Sequence, residues 1–595
     1  MSNEWKSILG IGTIILLMMA AFAVFIVWDK KKKRRRMLER IRRDWGAWPA
    51  RQYDSGDWDA AAGYYVNKQT GEFQIDDTTW EDLGMDRVFM LLNHTGSFLG
   101  EGYLYYLLRT PSFDEKELLE RDRLINYFAE NPEEREQAEL FFYSVGKTGR
   151  ASVFDSVYDL ARFQPGSKWP HFLNLMLFAA SLAVLFVAPA PGILLILGWM
   201  AYGMQDYYRR KRPVEKYVTS TRFLLKTLEI ARELGKLELP PLKEYQKRIR
   251  EAADHFGKLK RNTFFLMMGS RTDADLLAGI IMYLNSCFHI DLLQFFTVVK
   301  EMKLHLKEFE VMVEELGKLE AAIAVASFRA CMKDWCRPKL LNGEEVWNPA
   351  GSPEKSANGT EQFFGPLFLD AENVYHPLIQ DPVKNSIRAE RGVLLTGSNA
   401  SGKSTFLKTV AVNAILSQTV YTCMADHWSS GYFRVYSSMA LQDNLEGQES
   451  YYIVEIKSLK RILDETLPRE EEKKGKPAPV LCFVDEVLRG TNTVERIAAS
   501  SQILKYMAGR QALCFAATHD IELTHILENY YDNYHFQEQV QDHDIQFDYK
   551  LYSGRAVSRN AIKLLGLMGY EGDVIQAAER SAEQFLETGE WGKQA

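Results

Sequence analysis

Cysteine is scarce, with six in 595 residues, scattered at Cys287, Cys331, Cys336, Cys423, Cys482 and Cys514. A disulfide framework or a zinc finger needs clustered pairs. Cys331 and Cys336 lack a second ligand pair, so reduced thiols are expected. Strong charge of one sign is also missing: the net charge is −7, and no global basic field announces a nucleic-acid binder. No internal repeat is evident, which argues against a solenoid. What remains is a globular composition on a chain too long for one ordinary domain.

The densest chemical signal is Thr396 to Thr409, TGSNASGKSTFLKT. Gly397, Gly402, Lys403 and Ser404 fit the phosphate-loop pattern G-x-x-x-x-G-K-[ST], with Ser398, Asn399, Ala400 and Ser401 between the glycines and Thr405 after them. Gly392 to Leu395 reads as a buried strand, and Phe406 to Leu416 has helical periodicity. In a strand–loop–helix, backbone N–H groups and a helix N-terminus receive phosphate. Lys403 would neutralise the β- and γ-phosphates of ATP, and the Ser404 hydroxyl would ligate Mg2+.

Two later runs fit the same chemistry. Val480 to Glu486 reads as a buried parallel strand ending in two carboxylates. Asp485 is expected to hold Mg2+, directly or through water, and Glu486 to position or deprotonate the attacking water. Leu513 to Ala517 is another apolar run, ending in Thr518-His519-Asp520, where His519 would sense the γ-phosphate. An acidic helix start and an ordinary loop histidine are the bland alternatives. The three elements in this order argue for an ATPase domain.

Ile8 to Trp28 is almost wholly apolar, roughly 30 Å of helix. Seven consecutive cations follow at Lys30 to Arg36, then Arg40, Arg42 and Arg43. The positive-inside rule then puts the rest of the chain in the cytoplasm. A cleaved signal peptide is the competing reading, but it carries its cations before the apolar core. The cations suit anionic lipid first and DNA phosphates second. Phe172 to Val187 and Ile193 to Met204 are apolar again, divided by Ala188-Pro189-Ala190-Pro191-Gly192 and followed by Arg209 to Arg212. A two-span hairpin with both feet in the cytoplasm is expected. A re-entrant loop and a buried soluble hairpin are the alternatives.

Elsewhere Trp45 to Asp86 reads as an irregular connector. Val88 to about Phe163 and Val214 to Arg337 read as helical, with Asp273 to Phe288 among the packed helices. Tyr534 to Gln539 and Ile545 to Tyr552 alternate like a β-hairpin.

The ATPase segment resembles the MutS family of DNA mismatch-repair ATPases. GSNASGKST stands where that family has a Gly-Pro-Asn-type loop, with Ser398 in place of Pro. DEVLRGTNTVER, from Asp485, resembles its Asp-Glu box and Gly-Arg-Gly-Thr-Ser-Thr, with Leu488 and Asn492 as departures. ATHDIELTHI resembles its switch-histidine segment, DNLEGQESYYIVEI the stretch carrying a serine to the partner's γ-phosphate, and YHPLI the start of its ATPase domain. The resemblance implies that Ser450 acts in trans across a homodimer, and that Val383 and Asn385 lie near the adenine pocket. LLNHTGSFLGEGYLYYLLRTP and Lys318 to Pro338 resemble the start and return of the family's lever domain. No stretch before Val88 has room for its mismatch-reading domain, so direct mismatch reading is not expected.

The expected fold is therefore an α/β P-loop ATPase domain of MutS/ABC type preceded by an all-α lever, with an N-terminal transmembrane helix and an inserted transmembrane hairpin. The division is anchor 1–45, connector 46–87, lever 88–168, hairpin 169–208, lever 209–340, ATPase 341–553 and C-terminal helical dimerisation element 554–595. The leading expectation is a membrane-tethered ATPase of the cytoplasmic membrane using ATP and Mg2+ and acting on DNA or a repair partner. The second is an ATP-driven machine for a protein or lipid partner. A transporter is disfavoured by few spans and no Leu-Ser-Gly-Gly-Gln signature.

Overall fold

The computed structural model describes the chain except residues 1–23, 26–27, 30, 69–70, 148–151, 165, 238, 258, 260–275, 342–344, 347–353, 356–366, 399–400, 440–450, 468–477, 542–543, 557–561, 563–564, 566–568 and 589–595. It divides into a helical unit (Met1–Glu72, Phe89–Arg109, Glu120–Lys333) and an α/β unit (Phe73–Val88, Thr110–Leu119, Asp334–Ala595).

The helical unit contains α1 (Ser55–Asn67), α2 (Phe98–Arg109), α3 (Pro132–Val145), α4 (Val153–Arg162), α5 (Trp169–Val187), α6 (Pro189–Lys211), α7 (Glu215–Leu234), α8 (Lys243–Asp254), α9 (Leu276–Phe288), α10 (Ile290–Leu304) and α11 (Leu306–Cys331). Helix α1 corrects the reading of 45–86 as irregular. Asp54 accepts from the Asp57 N–H while the Asp57 side chain accepts from the Asp54 N–H, a reciprocal cap that fixes the helix start. Helices α2 and α11 are wholly or largely buried. They approach closely because a Cβ on Gly317 would stand 2.5 Å from the Tyr103 Cβ. Across this contact the buried Glu320 accepts from the N–H groups of Gly96 and Ser97 at 2.8 Å, of Gly100 at 2.9 Å, and from the Ser97 hydroxyl. A carboxyl on one helix thus satisfies the open N-terminus of another.

Helices α5 and α6 fold back on each other at Ala188, whose extended backbone (φ −142°, ψ 94°) breaks the helix before Pro189. Among the described residues one helix, α5, is long and apolar enough to cross a membrane. The second expected span belongs to α6, which ends in Arg209, Arg210 and Lys211 and does not pass that test. The expected anchor at Ile8 to Trp28 lies almost wholly outside the described residues.

In the α/β unit, β1 (Lys339–Leu341), β2 (Leu369–Val374), β3 (Asn385–Ala389) and β5 (His427–Gly431) form a sheet in the order β1-β5-β2-β3. The second sheet contains β4 (Gly392–Thr396), β6 (Arg434–Ser438), β7 (Val480–Asp485), β8 (Ala512–Ala517), β9 (Tyr531–Gln541) and β10 (Asp544–Ser553), ordered β10-β9-β4-β8-β7-β6. All its pairings are parallel except the expected hairpin β9–β10. Helix α12 (Lys403–Thr419) follows β4, α13 (Tyr451–Glu465) precedes β7, and α14 (Thr493–Ala508) and α15 (Ile521–Ile526) follow β7 and β8. Strands β4, β7 and β8 are continuously apolar because both faces are covered. The helix Asp77–Asp82, in the stretch read as connector, belongs to this unit: the Ser437 hydroxyl donates to Asp82 at 2.7 Å and the Ser437 N–H to the Thr79 hydroxyl at 3.1 Å.

Glu139 of α3 is buried 3.7 Å from Arg135, too far for a good hydrogen bond. Burial outweighs that cation and pushes the Glu139 carboxyl up to about 8 from an ordinary value of 4.5. The folded chain therefore keeps a proton that the unfolded chain releases. This stability is full below the unfolded value and declines as pH rises towards the folded value. Glu139→Gln should flatten the fall in Tm between pH about 5 and about 8, with Glu320 unchanged in both proteins. Equal slopes for the two proteins would rule out the assignment.

Candidate active site

Register alone brings the key residues to one edge. Leu395 of β4 pairs with Ala517 of β8, and Ala517 pairs with Asp485 of β7, so three parallel strands end together. The Thr518 N–H donates to the Leu395 carbonyl and the Glu486 N–H to the Ala517 carbonyl, both at 2.9 Å, extending the alignment past the strand ends. The phosphate-like loop, the carboxylates and His519 leave the sheet at this common edge, where ligands bind in open parallel sheets.

The loop is shaped by its glycines. Gly397 has φ 141°, and a Cβ there would lie 2.7 Å from the Phe536 carbonyl. Gly402 caps α12 with φ 109°, a conformation costly for other residues. The buried Lys403 Nζ donates to the carbonyls of Gly397 at 2.7 Å and Ser398 at 2.8 Å. Burial lowers the Lys403 pKa, against the raising influence of Asp485, Glu486 and Glu538. Ser404 hydrogen-bonds Asp485, whose pKa is raised by burial first and by Glu486 as well. Ser401 donates to the Ser398 carbonyl at 2.8 Å and Thr405 lies in the first turn of α12. Asn399, Ala400 and Ser450 lie outside the described residues.

Glu486 is held from two sides, by His519 Nε2 at 2.6 Å and Arg489 at 2.9 Å. The His519 hydrogen bond is the largest cause of its lowered pKa. It is thus an ionised carboxylate, suited to orienting a water more than to keeping a proton. Glu486 and Leu488 have φ 59° and 58°, left-handed values uncommon for side-chain-bearing residues. Leu488 stands where the resembled motif has glycine; its side chain is buried in a core with Val487, Leu459 and Ile462.

Val383 and Asn385 lie beside the loop. With Tyr375, His376, Phe536 and Tyr549 they line a cleft of about 350 Å3 that reaches Gly402 and Thr405. Asn385 donates to the Tyr549 carbonyl at 3.0 Å and accepts from the Leu551 N–H at 2.8 Å, tying β3 to the hairpin.

Several neighbours escaped the sequence reading. Strand β9 pairs with β4 through His535↔Thr396 and then runs on past the edge beside the loop. A bulge between Phe536 and Glu538 turns its side chains there. Phe536 packs edge-on to Phe406, and Glu538 accepts from the Ser398 hydroxyl. The Phe536-Gln537-Glu538 triplet therefore lies at the site. Only the unequal strand lengths hinted at it. Arg496 makes two hydrogen bonds to Asp520, at 2.9 and 2.6 Å, fixing the residue after His519.

The donor set fits a magnesium nucleotide. A buried ammonium and left-handed glycines form the loop, a hydroxyl–carboxylate pair can share a hard cation, and the cleft can take a planar base. Residues 393–586 match the family model described as MutS domain V. A stretch of 294 residues is 24% identical to DNA mismatch repair protein MutS 2 of Haloarcula marismortui, covering 48% of this chain and 30% of that protein. Over 225 residues the chain is 27% identical to DNA mismatch repair protein MutS of Pseudothermotoga lettingae, covering 36% and 26%. Over 300 residues it is 23% identical to DNA mismatch repair protein MSH3 of Debaryomyces hansenii, covering 48% and 27%. The chain thus spans under a third of the length of these relatives. The family match begins within β4 and takes in the loop and the whole strand edge, which makes this chain a MutS-like protein.

Proposed function

We propose that the chain is a membrane-tethered MutS-like ATPase that hydrolyses ATP at a composite homodimer site and acts on DNA. The observation that carries the reading is the convergence of Lys403, Ser404–Asp485 and Glu486–His519 at one strand edge. Lys403 binds the β- and γ-phosphates, exchanging the loop carbonyls for stronger anionic partners. Ser404 and Asp485 hold Mg2+, which supplies charge neutralisation on the phosphates. Glu486 orients the attacking water, while His519 holds that carboxylate and responds to the γ-phosphate. The glycine-loop residues Gly397 to Thr405, with Asn399 and Ala400, wrap the phosphates. Val383 and Asn385 border the base, and Ser450 completes the partner's site.

Closure of two such sites follows from contacts made only when the γ-phosphate is present. The region 341–553 is the ATPase domain and 554–595 the dimerisation element in this reading. DNA is the favoured partner because the matched relatives carry mismatch-repair names. The membrane tether is supported by α5, the apolar helix above, and by the basic run at Lys30 to Arg36. The ATPase domain then faces the cytoplasm.

Two measurements test this. Lys403→Ala should weaken ATP binding at least tenfold, whereas Glu486→Ala should bind ATP and lose on the order of 10²-fold or more in turnover. Wild-type turnover in Glu486→Ala would refute the role assignment. Duplex or branched DNA should raise ATPase activity, with the apparent affinity falling as salt rises. Stimulation by lipid or protein but not DNA would transfer the function to the partner-driven machine.

A further inference from the structure

The inserted helices carry their polarity inside out. On α5 and α6 the apolar side chains face outward, with Phe186 82% and Leu194 70% exposed. The same two helices bury His171, Asn174, Ser181 and Asp206. A helix pair in water places these groups the other way round. In a bilayer the arrangement is the expected one, because polar side chains face the bundle interior and apolar ones face lipid.

Helix α9, read from the sequence as part of a packed soluble region, shares this interior. Phe288 at its end meets Phe178 of α5 and Trp199 of α6 at ring-centre distances of 5.0 and 5.2 Å. Asn174 donates to the Cys287 carbonyl at 2.8 Å, and the Trp199 indole N–H to the Asn174 carbonyl at 2.9 Å. Gly203 permits this approach: a Cβ there would lie 3.2 Å from Asn174 Oδ1 and 3.3 Å from the Cys287 carbonyl.

The turn from α9 to α10 is made by His289, fully buried with φ 59°. Its Nε2 lies 2.9 Å from the Gly203 carbonyl, which can only accept, so Nε2 carries the proton. In the neutral ring Nδ1 must then accept, and the partner at 3.0 Å is His171 Nδ1. Irregular backbone at membrane depth is tolerated only when its polar groups are satisfied within the protein, and this turn meets that condition. On its other side α9 exposes Ile280, Met282 and Tyr283, each about half accessible. The described part of α9, Leu276–Phe288, makes about 20 Å of helix. A helix that is buried on the side facing α5 and α6 and apolar on the side facing away fits one that lies in the bilayer beside them.

We infer that α5, α6 and α9 form one lipid-embedded bundle and that lipid acyl chains cover the Ile280–Met282–Tyr283 face of α9. The base of the bundle carries its polar collar. Asp291 accepts from the Tyr207 hydroxyl at 2.7 Å and lies 3.7 Å from Lys211, while Asp206 pairs with Arg210 at 2.6 Å. These groups, with the exposed Arg209, mark the headgroup level where the chain leaves for α7 and α10. The inference rests on the membrane reading of α5 above.

The test uses the full chain reconstituted in phosphatidylcholine vesicles doped with a lipid bearing a diazirine at the end of its acyl chain. After irradiation and digestion, adducts are located by mass spectrometry. Peptides holding Ile280, Met282 and Tyr283 should carry at least tenfold more adduct than α8, alongside labelled α5 and α6. Labelled α5 and α6 with α9 at the level of α8 would overturn the lipid-facing placement of α9 alone, including the case in which a second copy covers that face. Absence of label from all three helices would overturn the bundle and the membrane reading together. The variant Asn174→Leu, which removes the hydrogen bond to Cys287, should lower α9 labelling several-fold while α5 labelling holds. Unchanged α9 labelling in that variant would overturn the shared interior.

Discussion

The in-register parallel pairing of β4, β8 and β7 is the constraint on which the candidate site depends. Backbone hydrogen bonds set Leu395, Ala517 and Asp485 side by side, so three loops distant in sequence start from one line. A slip of one residue in the β8–β7 pairing would take Asp485 out of line with Ala517 and turn its side chain to the other face of the sheet. The charges then hold one another. Lys403 is buried against the loop carbonyls, and burial lowers its pKa while Asp485 and Glu486 partly oppose that shift. Lys403 left alone would be a buried charge without compensation, which costs several kcal/mol, on the order of 3–5.

The turn after β7 stores strain in the same place. Glu486 and Leu488 both occupy left-handed backbone, at a cost of roughly 1–2 kcal/mol per residue without glycine. Leu488 offsets this by burial, since enclosing a leucine side chain contributes about 1.5–3 kcal/mol. The substitution that departs from the resembled motif therefore keeps the unusual backbone and changes what stabilises it. Glu486 has no such burial; His519 and Arg489 hold it instead.

Legibility followed the range of the interactions. The phosphate loop, the Asp485 strand and the His519 strand are local patterns, and their chemistry can be read from spacing. Glu538 and Phe536 reach the loop only because β9 outruns β4, a fact of pairing and not of composition. Glu320 capping α2 spans more than two hundred residues and left no local trace. The helix at Ser55 was different: Asp54 and Asp57 spelled a capping box in plain view, and the surrounding Trp, Tyr and Gly residues drew the reading towards an irregular connector. Helix α9 is hard to read for another reason. A short apolar run does not say whether protein or lipid will cover it.

Two interiors of one chain bear on that ambiguity. Around β7 and β8 the core is apolar, and charged groups collect at the strand ends where a polar ligand can meet them. Among α5, α6 and α9 the interior instead holds His171, Asn174 and His289, and the outside is leucine, phenylalanine and methionine. Both obey one rule, that each surface matches the medium it faces and most enclosed polar groups find a partner. On the membrane placement proposed above, the rule gives opposite patterns because the media differ. The inverted pattern would be unstable in water, where apolar exposure costs about 25 cal/mol per Å2 and the buried histidine pair gains little. Lipid reverses the first term and strengthens the need for the second, so the hydrogen bonds at His289 and the exposed face of α9 express the same cause.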